Sequence, residues 1–279
     1  MAGGEGGGGG GLARGGPAAG DGGTPEGVPV AVCQFAPRPG DVRANLAQAV
    51  VLVEVAAARG ARLVVLPELC LTGYYMSAVF RSLAEPLDGP QVGVLRELAR
   101  RRGVLIAAGV AERGEGGALH DTAVLVGPAG VLGAGRKARL WDREVGLFTP
   151  GEGPAIVPTE LGLLALMVCY DLEHPELAVA AAAAGAGAIV APAAFSDPVL
   201  WRATLRSRAQ ETGLPVIAAN RTGVEGNARF CGASMVVGPD GTVLAEAGPR
   251  QGVRVARVPI AAAGRRRRPD ARMVYPEYG

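Results

Sequence analysis

Between Val28 and Val258 the chain runs twice through the same order of segments, and that repetition limits its possible folds more than any other feature. In the first pass "VPVAVCQFA" (28–36), "ARLVVLPE" (61–68) and "VLIAAGV" (104–110) are short runs of almost continuous apolar character. Such runs fit strands buried on both faces, as in a parallel sheet. Helices are expected between them. One is capped by Asp41, carries Leu46, Val50, Val53 and Ala57 on its apolar face, and stops at Gly60. The next opens at Pro90, carries Val94, Leu95 and Leu98, and stops at Gly103. "DTAVLVGPAGVLGAGRK" (121–137) then reads as a hairpin turning at Pro128-Ala129-Gly130.

The second pass repeats this order with "LGLLALMVC" (161–169), an Ala-rich helix from Pro175, "AGAIVAP" (186–192), a helix from Asp197-Pro198 and "LPVIAAN" (214–220). Trp201, Leu205 and Ala209 share one face of that last helix, and the alanines at 180–184 suit a helix packed close to its neighbour. A hairpin, "GASMVVGPDGTVLAE" (232–246), and a closing strand, "GVRVARV" (252–258), complete the pass. Two mixed sheets stacked face to face, with helices outside, would cover every apolar face. The expected architecture is therefore α/β with pseudo-twofold halves, forming one domain over 28–279. Residues 1–27 are almost all Gly, Ala and Pro and offer no apolar surface to offset ordering, so a disordered tail is expected there.

Composition narrows the function classes. A formal charge of +2 gives no electrostatic case for nucleic acid or an anionic membrane, and the run Arg265–Arg268 alone reads as a solvated segment. No apolar stretch is long enough to span a bilayer, and no secretory signal is expected. The four cysteines, at 33, 70, 169 and 231, form no CxxC pair, and there are only two histidines, His120 and His174. A disulfide framework and a zinc site are not expected, and a reducing cytoplasm is.

Three of the strand-like segments end in a residue able to do chemistry: Glu68 after "LVVLP", Lys137 after "VLGAGR" and Cys169 after "LLALMV". Sites in α/β folds gather at the carboxyl ends of strands. A carboxylate, an ammonium and a thiol collected there would suit thiol-based acyl transfer, supplying a base, an oxyanion stabiliser and a nucleophile. Cys33 lies within an apolar strand, Cys70 follows Glu68 in a loop, and Cys231 has no charged pattern around it, so Cys169 is the expected nucleophile.

"LVVLPELCLTGY", "GRKARLWDREVGLFTPGEG", "LLALMVCYDLEHPE" and "RSRAQETGLPVIAANRTGVEG" follow one another in this order. In these four stretches the chain resembles the nitrilase superfamily of carbon–nitrogen hydrolases, from residue 28 to about 260. The resemblance implies an αββα four-layer sandwich and assembly into homodimers or larger homo-oligomers. It implies Glu68, Lys137 and Cys169 as catalytic residues and Glu144 as the second glutamate, which holds Lys137 and the substrate amide. No cofactor or metal is implied. Arg139 stands where relatives often have His or Tyr, and His174-Pro175-Glu176 where many have Phe-Pro-Glu. His174 is expected to partner a nearby backbone group or carboxylate.

The implied reaction is cleavage of a small carboxamide to carboxylate and ammonia through a cysteine thioester, with the Tyr170 backbone N–H joining Lys137 as oxyanion donor. Tyr170-Asp171 after the cysteine, in place of Trp-Glu, points to amidase-type branches that take aliphatic or ω-amino amides. The alternatives are a nitrilase, an N-carbamoyl hydrolase and a non-catalytic scaffold. Pocket walls are expected from Tyr74-Tyr75, Leu147, Glu173 and Phe195–Asp197, with Glu173 or Asp197 meeting an amino-bearing substrate.

Overall fold

The computed structural model describes residues 27–74 and 79–261, together with Met1 and Gly3. The remainder of the Gly-rich segment, Tyr75 and Arg265–Arg268 lie outside the described residues.

The first half runs β1 (Val28–Gln34), α1 (Val42–Ala58), β2 (Leu63–Val65), the single turn α2 (Phe80–Leu83), α3 (Pro90–Arg102), β3 (Leu105–Arg113), β4 (Leu119–Gly127) and β5 (Gly130–Arg136). The second half runs β6 (Ala155–Thr159), β7 (Gly162–Leu166), α4 (Pro175–Ala183), β8 (Ala188–Ala193), α5 (Pro198–Thr212) and β9 (Val216–Asn220). It continues with β10 (Thr222–Glu225), β11 (Ala228–Cys231), β12 (Met235–Val237), β13 (Val243–Glu246) and β14 (Gly252–Val258).

One sheet has the order β14-β1-β2-β3-β4-β5 and the other β6-β7-β8-β9-β12-β13. Each begins with an antiparallel pair, takes two parallel steps, and ends with two antiparallel ones. The twofold repetition in the sequence is thus a twofold repetition of sheet topology.

Residue alternation assigns the layers. In the first sheet Val30, Val32, Leu63, Val65, Leu105 and Ala107 join the core shared with the second sheet. Their neighbours Ala31, Cys33, Val64, Ile106 and Ala108 join the core under α1 and α3. A period of two divides each strand between two apolar layers, which is why it reads as continuously apolar. Trp201, Leu205 and Ala209 of α5 cover the outer side of the second sheet and are fully buried.

Several local expectations need correction. The buried face of α1 is Asn45, Ala49, Leu52, Val53 and Ala56, so Leu46, Val50 and Ala57 lie at its margin. Asn45 turns inward because its amide group binds the Arg38 N–H and the carbonyls of Arg38 and Leu71 at 2.7–2.9 Å. In α3, Val94 is exposed and Val92 takes the buried place beside Leu95 and Leu98. Of the alanines at 180–184 only Ala181 is fully buried. β7 ends at Leu166, so Cys169 stands in a 3-10 turn beyond the strand. β6 and the β10–β11 hairpin were not expected: Pro158 interrupts the first, and glycines at 223 and 226 dilute the second. Among the described residues no helix is long and apolar enough to cross a membrane.

Candidate active site

Glu68 lies three residues beyond β2, in a tight turn where Leu69 adopts φ +44°. That turn is held from both sheets. The Glu68 N–H donates to the Ala193 carbonyl at the end of β8 (3.3 Å), and the Cys70 N–H donates to the Gly109 carbonyl in β3 (3.0 Å). Lys137 follows β5 directly, with its N–H on the Asp121 carbonyl of β4 at 2.8 Å. Glu144 closes the 3-10 turn Asp142–Glu144. Cys169 opens the 3-10 turn Cys169–Glu173 with φ +45°, a left-handed conformation that costs a non-glycine residue about 1–2 kcal/mol and turns the chain sharply at the thiol.

These elements converge on the Lys137 ammonium. Its Nζ donates to Glu68 Oε1 and to Glu144 Oε1, both at 2.6 Å, and lies 3.6 Å from Asp121 Oδ2. All four side chains are buried. Glu144 is fixed by two further donors, the Tyr74 hydroxyl on Oε1 (2.5 Å) and the Trp141 N–H on Oε2 (2.8 Å). One oxygen each from Glu68, Asp121 and Glu144 lie within 4.8 Å of one another, a spacing that suits a cation, and the ammonium sits among them.

Burial alone would lower the lysine's proton affinity, but Glu68 and the other negative groups outweigh it and hold the ammonium well above its usual range. Burial pushes the Cys169 thiol well above the ordinary thiol range and the charge of Glu68 adds to this, while Lys137 and the Ala194 N–H, 3.5 Å from Sγ, work the other way. The net direction favours the protonated thiol. Burial also pushes Cys70 up to about 12 and Cys231 up to about 11.

Buried polar residues that the motif reading left without a role tie the site together. Asp171 accepts from Ala138 and Arg139 N–H on Oδ1 (3.0 and 2.8 Å) and from Val168 N–H on Oδ2 (2.9 Å), joining the chain after Lys137 to the chain before Cys169. The Asn220 amide clamps Phe195, accepting its N–H at 2.7 Å and donating to its carbonyl at 3.1 Å, which steadies the strand end that bears Ala194. Arg221 pairs with Glu225, whose carboxylate accepts the Tyr74 N–H at 3.0 Å. A sequence signal existed for Asp171, as for Asp121 beside Lys137: both are acids set against strongly apolar runs.

The expected pocket residues fare unevenly. Tyr74 joins the cluster through Glu144. Phe195 is buried one residue from the Ala194 N–H and packs on Trp201 with ring centroids 5.2 Å apart. Tyr170 is half-buried between Trp141 and His174, edge-on to both at 4.9 and 4.8 Å, and Glu173 is half-buried at the end of the same turn. Leu147 packs partly buried in the cluster that contains Tyr74. Asp197 is exposed and caps α5, its Oδ1 accepting from Val199 and Leu200 N–H at 2.8 and 3.0 Å. His174 meets a carboxylate, with Nδ1 3.4 Å from Glu176 Oε1.

The carbon–nitrogen hydrolase family model matches residues 29–268. An (R)-stereoselective amidase from Pseudomonas sp is 34% identical over 222 residues, covering 78% of this chain and 80% of that one. A nitrilase from Pyrococcus abyssi (strain GE5 / Orsay) is 36% identical over 224 residues, covering 79% and 85%. Among solved structures, an amidase from Nesterenkonia sp. AN1, captured as a mutant with acrylamide added to its active-site cysteine, superimposes with a TM-score of 0.78. It is 32% identical, over 83% of this chain and 93% of that one. Its architecture, two mixed sheets between helical layers, is the one described above. With a family match across most of its length and relatives more than 30% identical, the chain belongs to the carbon–nitrogen hydrolase family.

Proposed function

We propose that this protein is a cysteine-dependent amidase that hydrolyses a small carboxamide to a carboxylate and ammonia. The observation that carries the reading is a buried ammonium bonded to two carboxylates at 2.6 Å, one of them Glu68, next to a buried thiol on a left-handed turn. Glu68 takes the Cys169 proton as sulfur bonds to the amide carbon. The oxyanion faces Lys137 and the Tyr170 N–H, and a donor of this kind supplies ~3–4 kcal/mol. The intermediate collapses by breaking the C–N bond, and Glu68 passes the proton to the leaving amine, releasing ammonia. Water, deprotonated by Glu68, adds to the thioester. Collapse breaks the C–S bond, and Glu68 returns the proton to sulfur. Glu144 holds Lys137 in place throughout, and the chemistry draws its positive charge from Lys137.

Amides are expected to be preferred over nitriles because a carbonyl passes through a tetrahedral oxyanion aimed at Lys137. A nitrile forms a thioimidate whose nitrogen must be protonated from another direction, at a cost on the order of 10²-fold in rate. The test compares kcat/KM for butyramide with butyronitrile and for 5-aminopentanamide with its nitrile, by ammonia release in EDTA, with Cys169→Ala as control. Equal or faster nitrile turnover would make the chain a nitrilase, and activity surviving in the control would remove Cys169 from the mechanism. A lead of 5-aminopentanamide over butyramide that is lost in Glu173→Gln or in Asp197→Asn would assign that residue as the amine's partner.

The free state of all four cysteines supports work in a reducing compartment such as the cytoplasm. Val179, Val199 and Leu200, exposed on α4 and α5, support assembly into a homodimer or larger homo-oligomer. Sedimentation showing a monomer at micromolar concentration would reject the latter.

A further inference from the structure

Asp121 is a buried carboxyl group that the reaction above leaves unused. It opens the inner part of β4, one residue before the Thr122↔Arg136 pair, so the strand pairing places it beside Lys137. The charged groups facing it are Glu68 from the turn after β2, Lys137 from the end of β5 and Glu144 from its 3-10 turn. Were all three carboxyls ionised, one ammonium would leave two net negative charges in a site closed to water. Buried acids sharing a site relieve such an imbalance by keeping a proton.

The hydrogen bonds say which acid keeps it. Glu144 accepts from the Tyr74 hydroxyl, Lys137 and the Trp141 N–H, three donors that favour its ionised form. Glu68 accepts from Lys137 at 2.6 Å. Neither oxygen of Asp121 accepts a hydrogen bond, and its nearer one stands 3.6 Å from the ammonium. Glu68 Oε2 also lacks a donor. Two neighbouring carboxyls that can only accept when ionised need one proton between them.

We propose that Asp121 is a positioning residue for the base: it is a neutral carboxylic acid whose O–H donates to the Glu68 carboxylate. This rests on the amidase reading only for its consequence in catalysis. Burial and the charge of Glu68 both push the Asp121 carboxyl well above its usual range, in agreement with the geometry. The proton on Asp121 stays with it through the cycle, while Glu68 moves the proton of the thiol. Asp121 thereby holds Glu68 in one orientation and keeps a second negative charge away from the sulfur.

The test uses Asp121→Asn, which keeps a neutral donor, and Asp121→Ala, which removes it. The readouts are pH profiles of kcat/KM on the best amide and difference infrared spectra in the protonated-carboxyl C=O region. Asp121→Asn should retain kcat/KM within about threefold, with a superimposable pH profile, and Asp121→Ala should lose on the order of tenfold or more, as expected for a hydrogen bond to a charged group. A protonated-carboxyl band should be present in the wild type at neutral pH and missing in Asp121→Asn. A tenfold loss or a displaced acid limb in Asp121→Asn, or spectra of the two proteins with no such difference, would overturn the proposal. Asp121→Asn and the band decide it without Asp121→Ala. The band is read without turnover, so a protein inactive on every amide would refute the amidase reading while leaving Asp121 to be judged on its own.

Discussion

Gly109 is the most demanding position in the site's support. It sits in the middle of β3, and the turn that bears Glu68 rests on its backbone, through Gly109 N–H to Pro67 O at 3.1 Å and Cys70 N–H to Gly109 O at 3.0 Å. A Cβ placed there would lie 2.4 Å from Glu68 Cα, 2.8 Å from Pro67 O and 2.9 Å from Leu69 N, whereas ordinary contact begins at 3.4 Å. All three are backbone atoms, so no side chain can swing aside. Gly109→Ala must therefore move the Glu68 backbone by about 1 Å, and a displacement of that size costs on the order of 10²-fold in rate. Forcing an extra carbon into a packed interior costs about 1–3 kcal/mol. In a chain of this size that lowers Tm by roughly 2–12 °C, so the protein should still fold. The assay is ammonia release on the best amide, with calorimetry on the same sample. A folded Gly109→Ala protein with kcat/KM within threefold of wild type would refute the claim that Glu68 must stand where the structure places it.

Gly93 gives the opposite expectation, since a Cβ there meets nothing within 4 Å in the interior of α3. Gly93→Ala should raise stability by about 0.5–1 kcal/mol with activity unchanged, and a lower melting temperature would contradict the space seen around it. Lys137→Met should abolish turnover and also cost about 3–5 kcal/mol, because it strands buried Glu68 and Glu144 without their cation. Thermal unfolding reads this directly, and since protonation of a carboxyl would relieve the stranded charge, the loss should shrink as pH falls. A Lys137→Met protein as stable as wild type at neutral pH would show that the ammonium is not needed to hold the cluster together.

Layer architecture was legible because continuously apolar strands must be covered on both sides, and the order of strands, helices and hairpins left few ways to do that. The three reactive groups were legible for a similar reason, each being an ionisable or nucleophilic side chain directly after an apolar run. Helix rotation was not. α1 buries Asn45 and leaves Leu46 at its margin because of hydrogen bonds to Arg38 and Leu71, partners that no periodicity within the helix can show. Asp197 directly before Pro198 was also legible as a helix cap, and its Oδ1 caps α5. Asp121 and Asp171 act through contacts between segments that are distant in the chain, the Asp171 bonds to Ala138 and Arg139 spanning more than thirty residues, so their roles emerge only once the sheets are stacked.

The stacking has a further consequence for how mutations are tolerated. Glu68 and Lys137 extend from one sheet and Cys169 from the other. In the proposed mechanism the gap that a proton crosses between acceptor and sulfur is thus set by how one sheet rides on its partner. Val32, Val65, Leu166 and Val190 belong to the filling between them and act as spacers of that gap. Trimming or enlarging a spacer would retune the reaction from well outside the reacting atoms. A map of rate-altering substitutions should therefore trace the inter-sheet layer, whereas the layers beneath α1 and α3 should register mainly in melting temperature.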